Sequence, residues 1–370
     1  MTRTAFLGLT VLLLTGCGHV IRPEFAPNYG KRFDFQDPPC RLSPQPVLAQ
    51  DEVGIRYFGA GGLYVEWRGA ALMMAPYFTN PGIFRVLRGP LASDPHDLEF
   101  GLSGMDLSRV RAIAAGHSHY DHIGDLPLLA TRYAPAVPIY VNQTGANALA
   151  STPIAADRIR PLENETDWIR LRAADGGELP IRFRKVESKH APHFWGIHLG
   201  RGQIDRPWTK PWKDRHFLSL KEGTTYAFVI DLLSSTGTTL FRIYYQDSAN
   251  PEGEGVPKLV QEDVEPYHLA ALVMASYRFV RNHPGSILGS LKPRHVLVIH
   301  YEDFFQDRSD PVRFAFPLAN SEANRFLRRT RDALGDATTQ GPEGRVCGPS
   351  SSGWTMPVPG EWVRFRVQGD

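Results

Sequence analysis

The chain has 370 residues, with 41 Lys and Arg against 39 Asp and Glu for a formal net charge of +2, and 42% of its residues are apolar. That balance suits a globular protein with a full core and excludes a disordered, collagenous or strongly basic nucleic-acid-binding chain. Three cysteines exclude a disulfide-dense scaffold and a four-cysteine zinc site, which leaves the placement of 13 histidines as the informative feature.

Residues 1–16 read as an export signal. Arg3 supplies a positive start, and residues 5–14 form a 10-residue apolar run, well short of the roughly 20 residues that a membrane-spanning helix needs. The run ends in Leu14-Thr15-Gly16-Cys17, which resembles a bacterial lipobox. The resemblance implies cleavage before Cys17, lipidation of that cysteine, and anchoring to the bacterial cell envelope on its periplasmic face. Gly18 in place of Asp favours the outer membrane. Residues 17–51 hold six prolines and little periodicity, so they read as a tether between lipid and domain. In an oxidising compartment Cys40 and Cys347 are a candidate disulfide, the alternative being two free or buried thiols.

From Gly54 onward short β-type runs follow at residues 55–58, 63–67, 71–75, 110–115 and 138–142. A second series lies at 181–187, 226–232, 240–245, 270–275 and 295–300. Helices are expected at 125–133, 144–150, 286–291 and 321–334; the last carries Ala323, Phe326, Leu327 and Leu334 near one face. Two β-rich halves, each followed by helices, predict one α/β domain over residues 52–334, with two sheets packed together under helices. Residues 335–370 form a C-terminal extension whose alternating stretch at 362–367 predicts a closing edge strand.

The chemistry is concentrated where the 110–115 run ends. There His117-Ser118-His119-Tyr120-Asp121-His122 places four metal-ligand side chains within six residues. In an extended segment His117 and His119 point to one side, while Asp121 and His122 follow at a turn and can face a second ion. Asp125, with Pro127 two residues on, reads as a helix N-cap. Imidazole and carboxylate suit Zn²⁺ and related divalent ions.

This block resembles the signature of the metallo-β-lactamase-fold hydrolases, His-x-His-x-Asp-His after a strand. The resemblance extends over residues 54–305, because later predicted strands end in Ser188-Lys189-His190, Gln246-Asp247-Ser248 and His300-Tyr301-Glu302. It implies an αββα sandwich of two packed mixed β-sheets flanked by helices. It also implies two metal ions, Zn²⁺ first with Mn²⁺ or Fe²⁺ as alternatives. His117, His119 and His190 would hold one ion, Asp121, His122 and His300 the other, with Asp247 between them. His193 is the alternative to His190. The family's early Asp-Pro is replaced here by Ala75-Pro76, which removes an expected support for the metal loop.

The reaction implied is hydrolysis, a hydroxide held between two ions attacking a phosphoryl or acyl centre. Asp121 would orient it, and His193 is the first candidate proton donor, ahead of Tyr301 and His268. Asp247 argues against a true β-lactamase. The motif contexts look more like ascorbate-6-phosphate lactonase-like and N-acyl-phosphatidylethanolamine phospholipase D-like enzymes, so the expected substrate is an anionic small molecule or lipid. Residues 201–217 interleave Arg201, Arg206, Lys210, Lys213 and Arg215 with Trp208, Trp212 and Phe217. They read as a lid whose cations meet an anionic substrate and whose indoles touch an acyl chain or bilayer. A catalytically idle metal-binding envelope lipoprotein is the second reading. The oligomeric state has no signature.

Overall fold

The computed structural model describes residues 43–367 except 194–195, 259–264, 309, 311, 316–317, 336–340 and 345. Cys17, Cys40 and the export signal lie outside the described residues. Among the described residues, no helix is long and apolar enough to cross a membrane.

Two sheets make the framework. The first is built from β1 (Glu52–Gly59), β2 (Gly62–Trp67), β3 (Ala70–Met74), β4 (Val110–Ala114), β5 (Ile139–Val141) and β6 (Ile159–Pro161). The second is built from β7 (Ile169–Arg172), β8 (Glu178–Ser188), β9 (Thr225–Leu233), β10 (Thr239–Tyr245), β11 (Leu269–Val273), β12 (His295–Ile299), β13 (Ser350–Ser351) and β14 (Trp354–Thr355). β15 (Trp362–Arg366) returns to the first sheet, giving the orders β15-β1-β2-β3-β4-β5-β6 and β13-β14-β12-β11-β10-β9-β8-β7. Each sheet is mixed: β1 to β3 and β7 to β10 run antiparallel, while β3 to β6 and β10 to β12 run parallel.

Side-chain alternation explains the layering. In β1 to β3, Val53, Ile55, Leu63, Val65, Trp67, Leu72 and Met74 face the second sheet, where Ile181, Phe183, Ile230 and Ile243 meet them. Their neighbours Phe58, Tyr64, Ala71 and Met73 face outward into a second apolar layer. That layer is closed by α1 (Ile83–Arg88), α2 (Pro95–Leu102), α3 (Tyr120–Ile123), α4 (Leu126–Leu128) and α5 (Gln143–Leu149), through Val86, Leu98, Ile123, Leu126 and Leu149. The second sheet is covered by α6 (Gly285–Leu291) and α7 (Asn320–Leu334), through Ile287, Leu288, Ala323, Phe326 and Leu327. The result is the expected αββα sandwich.

The alternating stretch at 362–367 forms an edge strand, β15, which pairs with β1 in the first sheet, and β14 pairs with β12 in the second. Two details differ from the sequence reading. The described end of the tether is docked on the domain, where Gln45 N–H donates to Gly104 at 3.0 Å. Asp125 does not cap a helix with its side chain; its carboxylate accepts the N–H groups of Phe78 and Thr79 and the Thr79 hydroxyl, each at 2.7 Å. It thereby ties the segment after β3 to the metal loop, so a support expected from the position of Ala75 comes from the other strand.

Candidate metal centre

Four strands of the two sheets, β4, β8, β10 and β12, end on one edge of the sandwich, and each delivers ligand-type side chains just past its last residue. From β4 come His117, His119, Asp121 and His122, followed by His190 after β8, Asp247 after β10 and His300 after β12. All but His190, which is half-buried, are buried. They fall into three overlapping triads: His117, His119 and His190; His117, His122 and Asp247; and Asp121, His122 and His300. In each triad the ligand atoms lie within 4.8 Å of one another. The outer triads share no residue, and the middle one joins them through His117 and His122.

Local contacts fix these side chains. Gly116 N–H donates to Asp247 at 2.7 Å, and His117 Nδ1 lies 3.0 Å from the other oxygen of that carboxylate. A Cβ on Gly116 would stand 2.6 Å from Asp247 and 2.3 Å from the Tyr226 carbonyl, so only glycine admits this approach. Asn142, at the start of α5, holds the loop from behind: its amide donates to the carbonyls of Glu222 and Thr224 at 2.7 Å each, and Ser118 N–H donates to Glu222 at 3.0 Å. His190 Nδ1 lies 2.6 Å from the Ala191 carbonyl, which places its proton there and leaves Nε2 as the lone-pair donor. His300 sits in the left-handed region at φ +51. Its N–H donates to the Tyr57 hydroxyl at 2.7 Å, and Tyr57 in turn donates to Glu302. Glu302 also accepts from Ala60 N–H and, at 3.1 Å, from Tyr301 N–H. That carboxylate pins the β1–β2 turn, where Gly61 (φ +81) faces His122, Asp247 and His300.

Burial disfavours charge on the imidazoles. It lowers His117 and His122 to about 3 and pushes His119 and His190 well below the ordinary range. On His300 burial acts the same way, but the hydrogen bond and charge of Asp121, with Glu302 and Asp247 behind it, outweigh it and lift the pKa. Burial opposes charge on Asp121 as well, yet its histidine neighbours hold it well below the usual carboxylate range. Burial raises Asp247. Two carboxylates and five imidazoles packed away from water are costly unless a cation gathers them. The buried Nδ1 atoms of His122 and His300 have no hydrogen-bond partner. The donor set fits divalent ions of the Zn²⁺ type.

Other sequence candidates fall into two groups. His193 lies at the centre, its ring 4.9 Å from His190 and 5.3 Å from His119. Tyr301 and His268 do not reach it. Tyr301 is fully buried and spends its hydroxyl on the Pro357 carbonyl at 2.7 Å. His268 precedes β11, at the end of the sheet away from the ligands, where it stacks on Phe241 and accepts from Arg242 N–H at 3.1 Å. Lys210 is exposed, but the indoles of the 201–217 segment turn inward. Trp212 is buried in the outer layer of the first sheet, and half-buried Trp208 packs there too, its backbone N–H on the Asn147 carbonyl at 2.8 Å and Arg215 over its ring. The segment is therefore pinned to the helical face rather than hung as a free lid. Cys347 takes part in a disulfide.

Residues missed by sequence reasoning line the opening. Tyr120 and Phe304 form an aromatic wall with Phe217, and Phe304 lies 5.4 Å from the His300 ring. A small cleft of about 40 Å³ opens beside Phe304, lined also by Ala60, Phe100, Asp303 and Arg308. Tyr120 sits inside the motif and Phe304 four residues past His300, so proximity to ligands was the available signal.

No protein-family model matches this chain, and no curated protein does. Among solved structures it is similar to Igni18, a metallo hydrolase from the archaeon Ignicoccus hospitalis, at 16% identity and a TM-score of 0.46, over 86% of this chain and 100% of the other. An isothiocyanate hydrolase from Delia radicum gut bacteria aligns at 15% identity and TM-score 0.44, over 85% and 100% of the two chains. Zn²⁺-bound PqqB from Methylobacterium extorquens aligns at 12% identity and TM-score 0.41, over 84% and 99%. At such distances the chemistry rests on the geometry of this site.

Proposed function

We propose that the chain is a dinuclear metal-dependent hydrolase of an anionic phosphodiester or lactone/ester substrate, a phospholipid included, carried on a lipid anchor at the bacterial cell envelope. The observation that carries the reading is the run of three triads sharing His117 and His122, which gives two separate outer sites and one carboxylate between them. Two bound divalent ions would supply Lewis acidity and an acidified water at neutral pH.

This chain's own side chains do the rest. Asp121 accepts a hydrogen bond from the attacking water and sets its direction. His193 Nδ1 accepts from Leu199 N–H at 3.1 Å, so the proton of its neutral ring sits on Nε2. Burial lowers its pKa, and near neutral pH it serves a leaving oxygen as a hydrogen-bond donor. Tyr120 and Phe304 exclude water from one side of the opening.

The test is metal analysis of the purified protein followed by a substrate panel: an activated phosphodiester, a lactone, a phospholipid and a chromogenic β-lactam. About two equivalents of metal are expected, with turnover of one of the first three. Two bound metals with no turnover on any member would replace this reading with the idle lipoprotein.

A further inference from the structure

Six large apolar side chains are exposed among the described residues: Val47, Phe84, Leu87, Ile197, Leu199 and Leu218. Five of them share one rim. α1, bearing Phe84 and Leu87, lies against the turn Phe217–Ser219 that carries Leu218. The two are stitched by Leu91 N–H on the Arg215 carbonyl and a bridge between Pro90 and His216. Leu218 is two residues before Leu220, and there residues 200–202 run alongside 222–223, Glu222 N–H on Gly200 at 2.9 Å and Gly223 N–H on Gly202 at 3.0 Å. Ile197 and Leu199 lead into that pairing, and both are bonded to His193, the Ile197 carbonyl to its N–H and Leu199 N–H to its ring. The rim therefore runs from α1 to the edge of the metal centre.

Charge marks what would cover it. Residues 81–93 contain Arg85 and Arg88 and no acid, and residues 196–221 contain six Lys and Arg against two Asp. A second copy would bring the same cations face to face, which disfavours self-association. Apolar side chains ringed by cations suit an anionic bilayer, in which the former enter the headgroup boundary and the latter meet phosphates. The buried Trp212 and half-buried Trp208 serve as the footing of this surface.

We propose that the rim formed by Phe84, Leu87, Leu218, Leu199 and Ile197 docks on an anionic phospholipid membrane and turns the mouth of the metal centre toward it. The proposal stands apart from the hydrolase reading, because its test measures no turnover. Full-length protein is exposed to hydroxyl radicals in solution, with phosphatidylcholine vesicles, and with vesicles containing phosphatidylglycerol, and side-chain oxidation is read by mass spectrometry. Val47, 95% exposed and just ahead of β1, at the end of that strand away from the site, is the internal control. On phosphatidylglycerol, oxidation of Phe84, Leu87 and Leu218 should drop by about fivefold or more with Val47 unchanged, as for side chains sunk into a headgroup region. The double variant Arg88→Glu/Lys213→Glu, altered only at exposed positions, should lose that protection. Equal protection on phosphatidylcholine, protection of Val47 as well, no protection at all, or protection that grows with protein concentration without lipid would each overturn the proposal, the last in favour of a second copy.

Discussion

Tyr57 Oη accepts the backbone N–H of His300 across 243 residues of sequence, at 2.7 Å. A candidate ligand in a left-handed backbone conformation is thus held by the first strand of the opposite sheet, and Glu302 locks the tyrosine in turn. Strained backbone of this kind persists where its surroundings over-determine it.

Tyr57→Phe should therefore act on the metal centre without touching a ligand. The buried His300 N–H loses its acceptor, at a cost of about 1–3 kcal/mol. Affinity for one of two metal equivalents should fall roughly 10- to 100-fold, as for other ligand-supporting contacts. Competition with a chromogenic chelator measures the second effect and urea unfolding the first; unchanged affinity would show that His300 holds its place unaided.

Asp247→Asn keeps the volume and the contact with Gly116 but removes the charge shared by the middle triad. Bound metal should fall from about two equivalents to one or fewer. His119→Ala, altering an outer triad, should weaken one site and leave the other. Elemental analysis after gel filtration distinguishes these results, and identical losses in both variants would contradict two separate outer sites.

His193→Ala should lower turnover about 10²- to 10⁴-fold, the range for loss of a positioned proton-handling group, with metal content unchanged. If metal is lost instead, His193 is a ligand. His193→Gln, which retains an N–H donor, should recover part of the rate.

Acid should destabilise the fold through histidines that bind no metal. Burial lowers His283 to about 4 and His295 to about 3, both below the value of about 6.5 in an unfolded chain. The unfolded state then binds the extra proton, so stability is full above about pH 6.5 and declines as pH falls toward those folded values, by up to about 1.4 kcal/mol per pH unit for each ring. Urea midpoints between pH 8 and pH 4.5 should fall on the acid side, and His295→Gln should flatten the slope. A midpoint independent of pH would mean that both rings bind protons in the fold as readily as in the unfolded chain.

The anchor is tested separately. A radiolabelled fatty acid should label the chain in a lipoprotein-processing bacterium, and Cys17→Ser should abolish the label. Label retained in that variant would remove the anchor from the proposal.

Much of the candidate centre was legible in sequence because four ligand-type side chains lie in one block, and each of the other three closely follows a β-type run. Its supports were not. Glu302 reads as a surface acid until Tyr57, Ala60 and Tyr301 are seen to converge on it, and such convergence is a property of the two sheets together. His268 failed for a related reason: residue type gives no sign of which end of a parallel strand faces the chemistry. The tryptophans of residues 201–217 were legible as anchors but not in direction, because whether an indole faces lipid or core depends on the helix beneath it. β6 and β7 escaped notice since three residues ending in proline, Ile159–Pro161, and a strand alternating with arginine, Ile169–Arg172, carry little hydrophobic pattern.

The return of the chain to its own beginning has a kinetic side. Arg56, fully buried on β1, donates to the Gly360 carbonyl 304 residues away, and β15 closes the edge beside it. Such long-range pairing makes closure slow. Until residue 360 has been synthesised, that guanidinium lacks one acceptor and β1 keeps an open flank. A nascent chain consequently stays short of its final fold until β15 has been made.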